Sequence, residues 1–233
     1  MRTHIVALGG SLLRPEASED PGAWLSRLRE IIVHVEGLGH RIGLVVGGGL
    51  PARQGISLLG AILQEPDRLD RVGIAATRLN ARIILEVLDS IGVSVVRRIP
   101  LSIDEAVEGL SESNVVVMGG TEPGHTTDAV AIRWATAVRA DHAIIATNVS
   151  HVHSADPRED ADAVAFDEMT HEQLIELCGE DDHAPGRSAV VDPIGAKLAA
   201  DHGLPIAVLD GRDLAHLDDA LCGKAFVGTL IRT

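Results

Sequence analysis

VVVMGGTEPGHTTDAVAIRWATAV, Val115 to Val138, carries three structural instructions in one run. Four apolar residues, Val115 to Met118, stop at a pair of glycines, as a short buried strand does. A polar loop follows. Thr126 and Thr127 then supply capping hydroxyls for a helix that reaches Val138, and Asp128 falls in its first turn, where the helix dipole favours negative charge. Between strand and helix the loop gathers glycines, hydroxyls, an imidazole and a carboxylate, more polar groups than a purely architectural connection needs.

The same order recurs on both sides of this run. Apolar stretches at His4 to Leu8, Ile42 to Val46, Val93 to Val96, His142 to Thr147 and Pro205 to Leu209 have the length and the Gly, Asn, Asp or Pro boundaries of buried strands. Helical patterns separate them. Trp24, Leu25, Leu28, Ile31, Ile32, Val35 and Leu38 make one apolar stripe that Gly37 and Gly39 end. Further helices are expected from about 51 to 62, 74 to 88 and 102 to 110. Asp192-Pro193 opens a helix carrying Lys197, and a last helix near 213 to 221 precedes a strand near 225 to 231. This alternation predicts a three-layer αβα sandwich around a mainly parallel sheet, with residues 1–233 forming a single domain. The stretch Gly179 to Ser188 reads as a loose, acidic loop.

Composition narrows the function. Hydrophobic residues make up 45% of the 233, yet aromatic residues only 2%, with no Tyr, so Val, Ile, Leu and Ala must build the core. A net charge of −14 leaves no basic patch for nucleic acid or anionic membrane. No apolar run approaches the ~20 residues of a membrane helix, and the N-terminus enters a strand pattern directly, so a cytoplasmic protein is expected. Lysine occurs only as Lys197 and Lys224. Cys178 and Cys222 lack metal spacing and read as small apolar fillers, and no protein-held metal is expected. His151 and His153 alternate, so an extended segment would point them to opposite sides.

In open α/β sheets, ligands bind where glycine loops meet helix N-termini beyond the strand ends, and the polar motifs here follow strands. Gly9-Gly10-Ser11 follows the first, where backbone N–H groups could cradle phosphate. Gly47-Gly48-Gly49 follows the second, with Arg53 one helical turn on. Taken alone, each also reads as a plain turn. The loop Gly119 to Ala131 is the third, and Thr147 to Pro157 the fourth.

In this order, and with LGGSLL, DRVGIAATRLNARIIL from Asp70 to Leu85, VVDPIGAK from Val190 to Lys197 and Gly228-Thr229, the chain resembles the amino-acid kinase superfamily and within it the archaeal type of UMP kinase. The resemblance implies transfer of the γ-phosphoryl group of ATP to UMP, with Mg²⁺ accompanying the ATP, and a homo-oligomer, a hexamer in the relatives. It implies an acceptor lobe over about 1–140 and a donor lobe over about 141–233. Gly10, Ser11, Gly49, Arg53, Thr147, Asn148, His153 and Asp156 would hold ATP. Gly48, Asp70, Thr121, Glu122, Pro123, Gly124, His125, Thr126 and Thr127 would hold UMP. Asp128 would stand beside the reacting phosphates, with Asp192 as a second acidic orienter and Arg53 near the transferring group. Phosphoryl transfer suits such a site, since positioning and charge stabilisation supply most of the acceleration.

Three places depart from the family pattern. HIVALGG lacks the lysine that many members carry before the glycines; Lys197 is either its replacement or an ordinary solvated lysine. Leu50 stands where a relative may carry Lys. Ser150, His151 and His153 replace the family's Asp, Gly and Tyr on the donor side. Two other readings therefore stand beside the first: the same fold acting on another small phosphate, or a nucleotide- or anion-binding regulator or storage protein without donor chemistry.

Overall fold

The computed structural model describes residues 1–13, 20–157, 159–160, 162–179 and 190–233. Most of the acidic loop expected from Gly179 to Ser188 lies outside the described residues. The chain opens with β1 (Thr3–Leu8), α1 (Pro21–Gly37), β2 (Arg41–Val46), α2 (Gly49–Gly60), α3 (Pro66–Asp89), α4 (Ile103–Glu112) and β3 (Val115–Met118). It continues through α5 (Thr127–Ala137), β4 (His142–Thr147), β5 (Val152–His153), β6 (Ala165–Phe166), β7 (Glu168–Thr170) and α6 (His171–Cys178). It closes with α7 (Pro193–His202), β8 (Ile206–Asp210), α8 (Leu214–Leu221) and β9 (Thr229–Arg232).

One sheet runs in the order β3-β2-β1-β4-β8-β9-β7. Its first five strands are mutually parallel, and β9 turns antiparallel to β8 with β7 parallel to β9. Residues of alternating parity face the two sides. Ile5, Ala7, Val45, Ile145 and Val208 meet α5, α6 and α7, while Val6, Leu8, Leu44, Ile144 and Leu209 meet α1, α3 and α8. The three-layer sandwich is therefore the observed architecture, and its core is aliphatic apart from a few groups such as the fully buried Trp134.

The chain follows local chemistry at the helix starts. Asp20, Ser102, Thr126, Asp192 and Asp213 each accept a hydrogen bond from a first-turn backbone N–H, and Thr170 with Gln173 forms a reciprocal capping box on α6. Some expectations need correction. Val93 to Val96 is no strand: Val95 makes one bridge to Val115, and three residues later Arg98 is clamped by both oxygens of Glu112. α3 begins at Pro66, eight residues before the expected start, because Pro is well suited to a helix's first turn. The final strand shrinks to Thr229–Arg232, and Leu38 lies past the end of α1, exposed. His151 and His153 do not diverge, because residues two apart on an extended segment share a face, and their rings meet edge to face with centroids 6.3 Å apart.

At the sheet edge opposite the glycine loops, register pairs His4 directly with His142. Their rings stack at 5.4 Å, with the two Nδ1 atoms 3.4 Å apart, and His40 meets His4 edge-on. His4 is 0% exposed and its Nε2 has no partner, so burial, reinforced by His142, lowers its pKa from 6.5 to about 4 against the opposing pull of Asp141. Between pH 6.5 and 4 the unfolded chain therefore takes a proton at this position that the folded chain refuses, and stability falls as pH falls. We expect His4→Leu to gain on the wild type by on the order of 3 kcal/mol as pH drops through that window. Urea denaturation of both proteins at pH 7 and pH 4.5 measures the difference, and a pH-independent gap would assign the acid sensitivity elsewhere.

Candidate active site

The parallel strands point their C-terminal ends at one edge, so the loops after β1, β2, β3, β4 and β8 gather there. The order of strands reverses between β1 and β4, which makes that boundary the switch point where such sheets open a crevice. Backbone bonds fasten the loops in series. Gly9 N–H donates to Ala146 at 2.8 Å, Gly47 N–H to Leu8 at 2.8 Å and Gly211 N–H to Thr147 at 2.7 Å.

The first two glycine loops interlock. A Cβ on Gly10 would stand 2.2 Å from the nitrogen of Gly49, and Gly49 itself has φ +57°. Only glycine fits either position, because any side chain would collide with backbone that cannot swing aside. Ser11 follows in the same turn, half-buried.

α3 acts as a clamp across two loops. Asn80, 0% exposed, donates through Nδ2 to the carbonyls of Gly47 at 2.8 Å and Gly48 at 3.0 Å. Thr77 receives the N–H of Gly120 at 2.7 Å, and Arg78 donates to the carbonyls of Gly120 and Thr121, each at 3.2 Å. Asp70 accepts the Gly124 N–H at 2.8 Å, tying the helix to the tip of the loop Gly119 to Ala131. Thr77, Arg78 and Asn80 were not singled out from sequence. The available signal was polar residues at a three-residue step, Thr77 and Asn80, on a face otherwise packed with Ala81, Ile84, Leu85 and Leu88.

The N-termini of α5 and α7 converge. Thr126 caps α5 and also donates to Asp192 Oδ2 at 2.8 Å, while Asp192 Oδ1 receives Gly195 N–H at 3.1 Å to cap α7. A Cβ on Gly195 would lie 2.8 Å from Ile132, so this crossing too depends on a missing side chain. Asp128, in the first turn of α5, has no such partner. Burial, and then the neighbouring Asp192, raises its pKa from 3.8 to about 7. Two helix dipoles and the free first-turn N–H groups of α5 and α7 thus surround a carboxylate that is costly to ionise, a combination that suits a site built to receive cation-accompanied phosphates.

The remaining sequence-selected residues spread around this centre. Glu122, Arg133 and His125 form a cluster beside the loop, with Arg133 2.9 Å and His125 3.2 Å from the same Glu122 oxygen. That arginine holds the Glu122 carboxyl below the usual range. Pro123 and Thr121 are half-buried in the loop, and Thr127 is the first residue of α5. Arg53 on α2 and Lys197 on α7 are exposed, and neither is ion-paired among the described residues. Lys224, by contrast, lies 3.7 Å from Asp219.

Beyond β4, Thr147 and Asn148 lead to a cleft of about 590 Å³ lined by Val149, Val152, His153, Asp156, Phe166 and Leu177 among others. That volume falls in the range of small-molecule sites. β5 and β6 form its two-stranded ribbon, pinned from below by Thr229, whose hydroxyl accepts from Val152 N–H at 2.9 Å and donates to the Phe166 carbonyl. The Gly228-Thr229 motif is thereby explained as a brace for the cleft.

With this geometry in place, known proteins of like sequence and shape can be compared. The uridylate kinase of Haloarcula marismortui is 36% identical over 230 residues, 97% of each chain. That of Natronomonas pharaonis is 38% identical over 225 residues, covering 97% of this chain and 96% of its own. The crystal structure of the Archaeoglobus fulgidus uridylate kinase superimposes with a TM-score of 0.85 at 35% identity, over 99% of this chain and all of that one (100%). The UMP kinase of Bacillus anthracis, at 22% identity and a TM-score of 0.79, shares the fold. The family model described as the Amino acid kinase family matches residues 2–210, and with relatives this similar over nearly its whole length the chain belongs to the amino acid kinase family.

Proposed function

We propose that this chain is a UMP kinase, moving the γ-phosphoryl group of ATP onto UMP to give UDP and ADP. The observation that carries the reading is the joint convergence of the Gly10–Gly49 interlock and the α5 and α7 N-termini on one sheet edge, in a chain whose relatives are uridylate kinases. Helix N-termini would serve an anion-binding regulator as well, but such a protein has no use for a carboxyl like Asp128 beside them, its pKa raised by burial to about 7.

The sheet order supports a division of labour. β3, β2 and β1 lie on one side of the switch point and β4, β8, β9 and β7 on the other, matching an acceptor lobe over about 1–140 and a donor lobe over about 141–233. In this reading ATP lies with its base in the cleft beyond β4, between apolar walls such as Val152 and Phe166 and beside His153 and Asp156. Its phosphates reach across Thr147 and Asn148 to Gly10, Ser11 and Gly49. UMP takes the other side, phosphate toward Gly48 and Arg53, uridine within the Thr121 to Thr127 loop that Asp70 holds through Gly124. The chain's own contribution is alignment: α3 fixes the carbonyls of Gly47, Gly48, Gly120 and Thr121, so the neighbouring N–H groups keep their direction as charge moves between phosphates. Asp192, held by Thr126 and Gly195, orients; Arg53 and Lys197, without ion pairs among the described residues, are the cations read as reaching inward.

The oxygen-only donor set around Asp128 fits Mg²⁺ carried on the nucleotide, a hard cation that keeps several waters and uses few carboxylates. When bound with ATP it withdraws charge from the phosphate oxygens. α2 adds the basis for a homo-oligomer, a hexamer by likeness to relatives: it has no buried residue, and Leu58 in its last turn and Ile62 just past its end are 78% and 83% exposed. Two large aliphatic residues exposed together at one helix end suit the apolar face of a second copy.

Three outcomes follow. In a coupled ADP-release assay against UMP, CMP, dUMP, AMP and isopentenyl phosphate, UMP should give the highest kcat/KM; equal turnover of AMP or isopentenyl phosphate would reassign the acceptor and leave the fold intact. Asp128→Asn should lower kcat on the order of 10²-fold with little change in the KM for UMP. Because the wild-type carboxyl carries a pKa of about 7 in place of 3.8, its ionisation opposes folding in full above pH 7, and that opposition fades progressively as pH falls from 7 toward 3.8. The same variant should therefore melt several degrees higher than the wild type at pH 8 and show a smaller gain at pH 5; near wild-type kcat would reduce Asp128 to a helix-start residue. Finally, Leu58→Glu with Ile62→Glu should lower the mass measured by light scattering, whereas a wild type already monomeric would remove the oligomer from the proposal.

A further inference from the structure

Cys222 reads in the sequence as apolar filler, but the fold brings it and His34 to one carboxylate. His34 lies in the last turn of α1, and Asp218 and Cys222 lie four residues apart at the end of α8, which packs against α1 on the same face of the sheet. His34 Nδ1 is 3.1 Å from Asp218 Oδ1, and Cys222 Sγ is 3.9 Å from that same oxygen. All three donor atoms fall within 4.8 Å of one another. A tetrahedral zinc-type ion bound by N, O and S would set neighbouring donors about 3.3 to 3.6 Å apart, so shifts of no more than about 1.2 Å bring the three into place.

We propose that His34, Asp218 and Cys222 form a site for a thiophilic divalent cation of the zinc class, stapling α1 to α8 away from the catalytic edge. One nitrogen, one oxygen and one sulfur are the donors such ions select, whereas Mg²⁺ favours oxygen alone. The chain runs back across the sheet in both helices, so their C-terminal turns sit at the edge opposite the glycine loops, beside the start of β2. The His34 side chain is 50% exposed and that of Asp218 19%, so an ion can enter, and water can complete a fourth position. Without a cation, burial and then Asp218 keep the Cys222 thiol protonated. Binding replaces that proton: the S–H bond breaks, the metal–sulfur bond forms and the proton passes to solvent. Nearby, Lys224 is engaged with Asp219, which lessens its competition for the thiolate.

The test uses Co²⁺ as a spectroscopic probe on the full chain, first stripped with chelator. Titration should produce a thiolate-to-cobalt charge-transfer band saturating at one ion per chain, displaced by Zn²⁺, and Zn²⁺ should raise the melting temperature. Cys178→Ser should retain the band, since Cys178 is buried with its sulfur toward Val191. Cys222→Ser should lose the band, and His34→Ala should loosen cobalt by more than the 10- to 100-fold typical of losing an outer-shell partner. Kinase turnover of Cys222→Ser with Mg²⁺ should match the wild type. A wild type without the band, or a band equally strong in Cys222→Ser, overturns the site.

Discussion

Gly10 and Gly49 can approach only as bare backbone, and the positions of the neighbouring loops follow from that approach. A methyl group on either would sit 2.2 Å from the other's main chain. Such a contact could not be relieved by a rotamer change, so glycine at both positions is what lets the end of β1 pack directly against the start of α2. The loops after β1 and β2 are thereby fixed relative to each other, and Asn80 transfers the constraint to α3 through Gly47 and Gly48. From α3, Thr77 and Arg78 carry it to Gly120 and Thr121. The loop Gly119 to Ala131 is thus held by a helix anchored through its own buried Ile84, Leu85 and Leu88, and not by the loop's sequence alone.

The electrostatic design works against the protein's overall sign. With a net charge of −14 and two lysines, positive potential at the site must come mainly from directed backbone, namely the N-termini of α5 and α7 and the glycine amides. Asp192 is expended on the α7 cap and on the Thr126 hydroxyl that caps α5, which leaves Asp128 as the carboxylate without a hydrogen-bond partner among the described residues. Its pKa raised to about 7 reflects how unfavourable that charge is where burial and Asp192 meet. In the proposed kinase reading, that carboxylate is the group left over for the arriving nucleotide and its cation.

Legibility in the sequence followed the physics of each part. Buried parallel strands need continuous apolar runs, so His4 to Leu8 or His142 to Thr147 could be read almost to the residue. The glycine loops were legible because they sit between two strong signals, a strand end and a capped helix start. The donor-side ribbon was not: β5 and β6 have two residues each, too short for any periodicity, and they stand because Thr229, far along the chain, supplies the bonds between them. Val93 to Val96 had the right composition for a strand, yet at the sheet margin only one bridge formed. The clamp residues on α3 were partly legible as polar interruptions in an apolar stripe. The pairing of His34 with Asp218, 184 residues apart, left no local trace.

Two buried titratable groups set opposing demands on the working pH. His4, stacked on His142 at one edge of the sheet, favours the folded state only while neutral, and this support weakens as pH falls below 6.5. Asp128, at the other edge, burdens the folded state while ionised, and that burden is relieved as pH falls below about 7. Their effects cancel in part across the same interval, so the stability of the whole chain is flatter with pH than either site alone would make it. Activity has no such compensation. The histidines lie at the edge opposite the phosphate loops and cannot restore the Asp128 charge, so catalysis should lose its acidic limb near neutrality while the fold persists well below. That separation of function from stability is a consequence of the sheet's geometry: register places the histidine pair at the strand beginnings, and the switch point places the carboxylate at the strand ends.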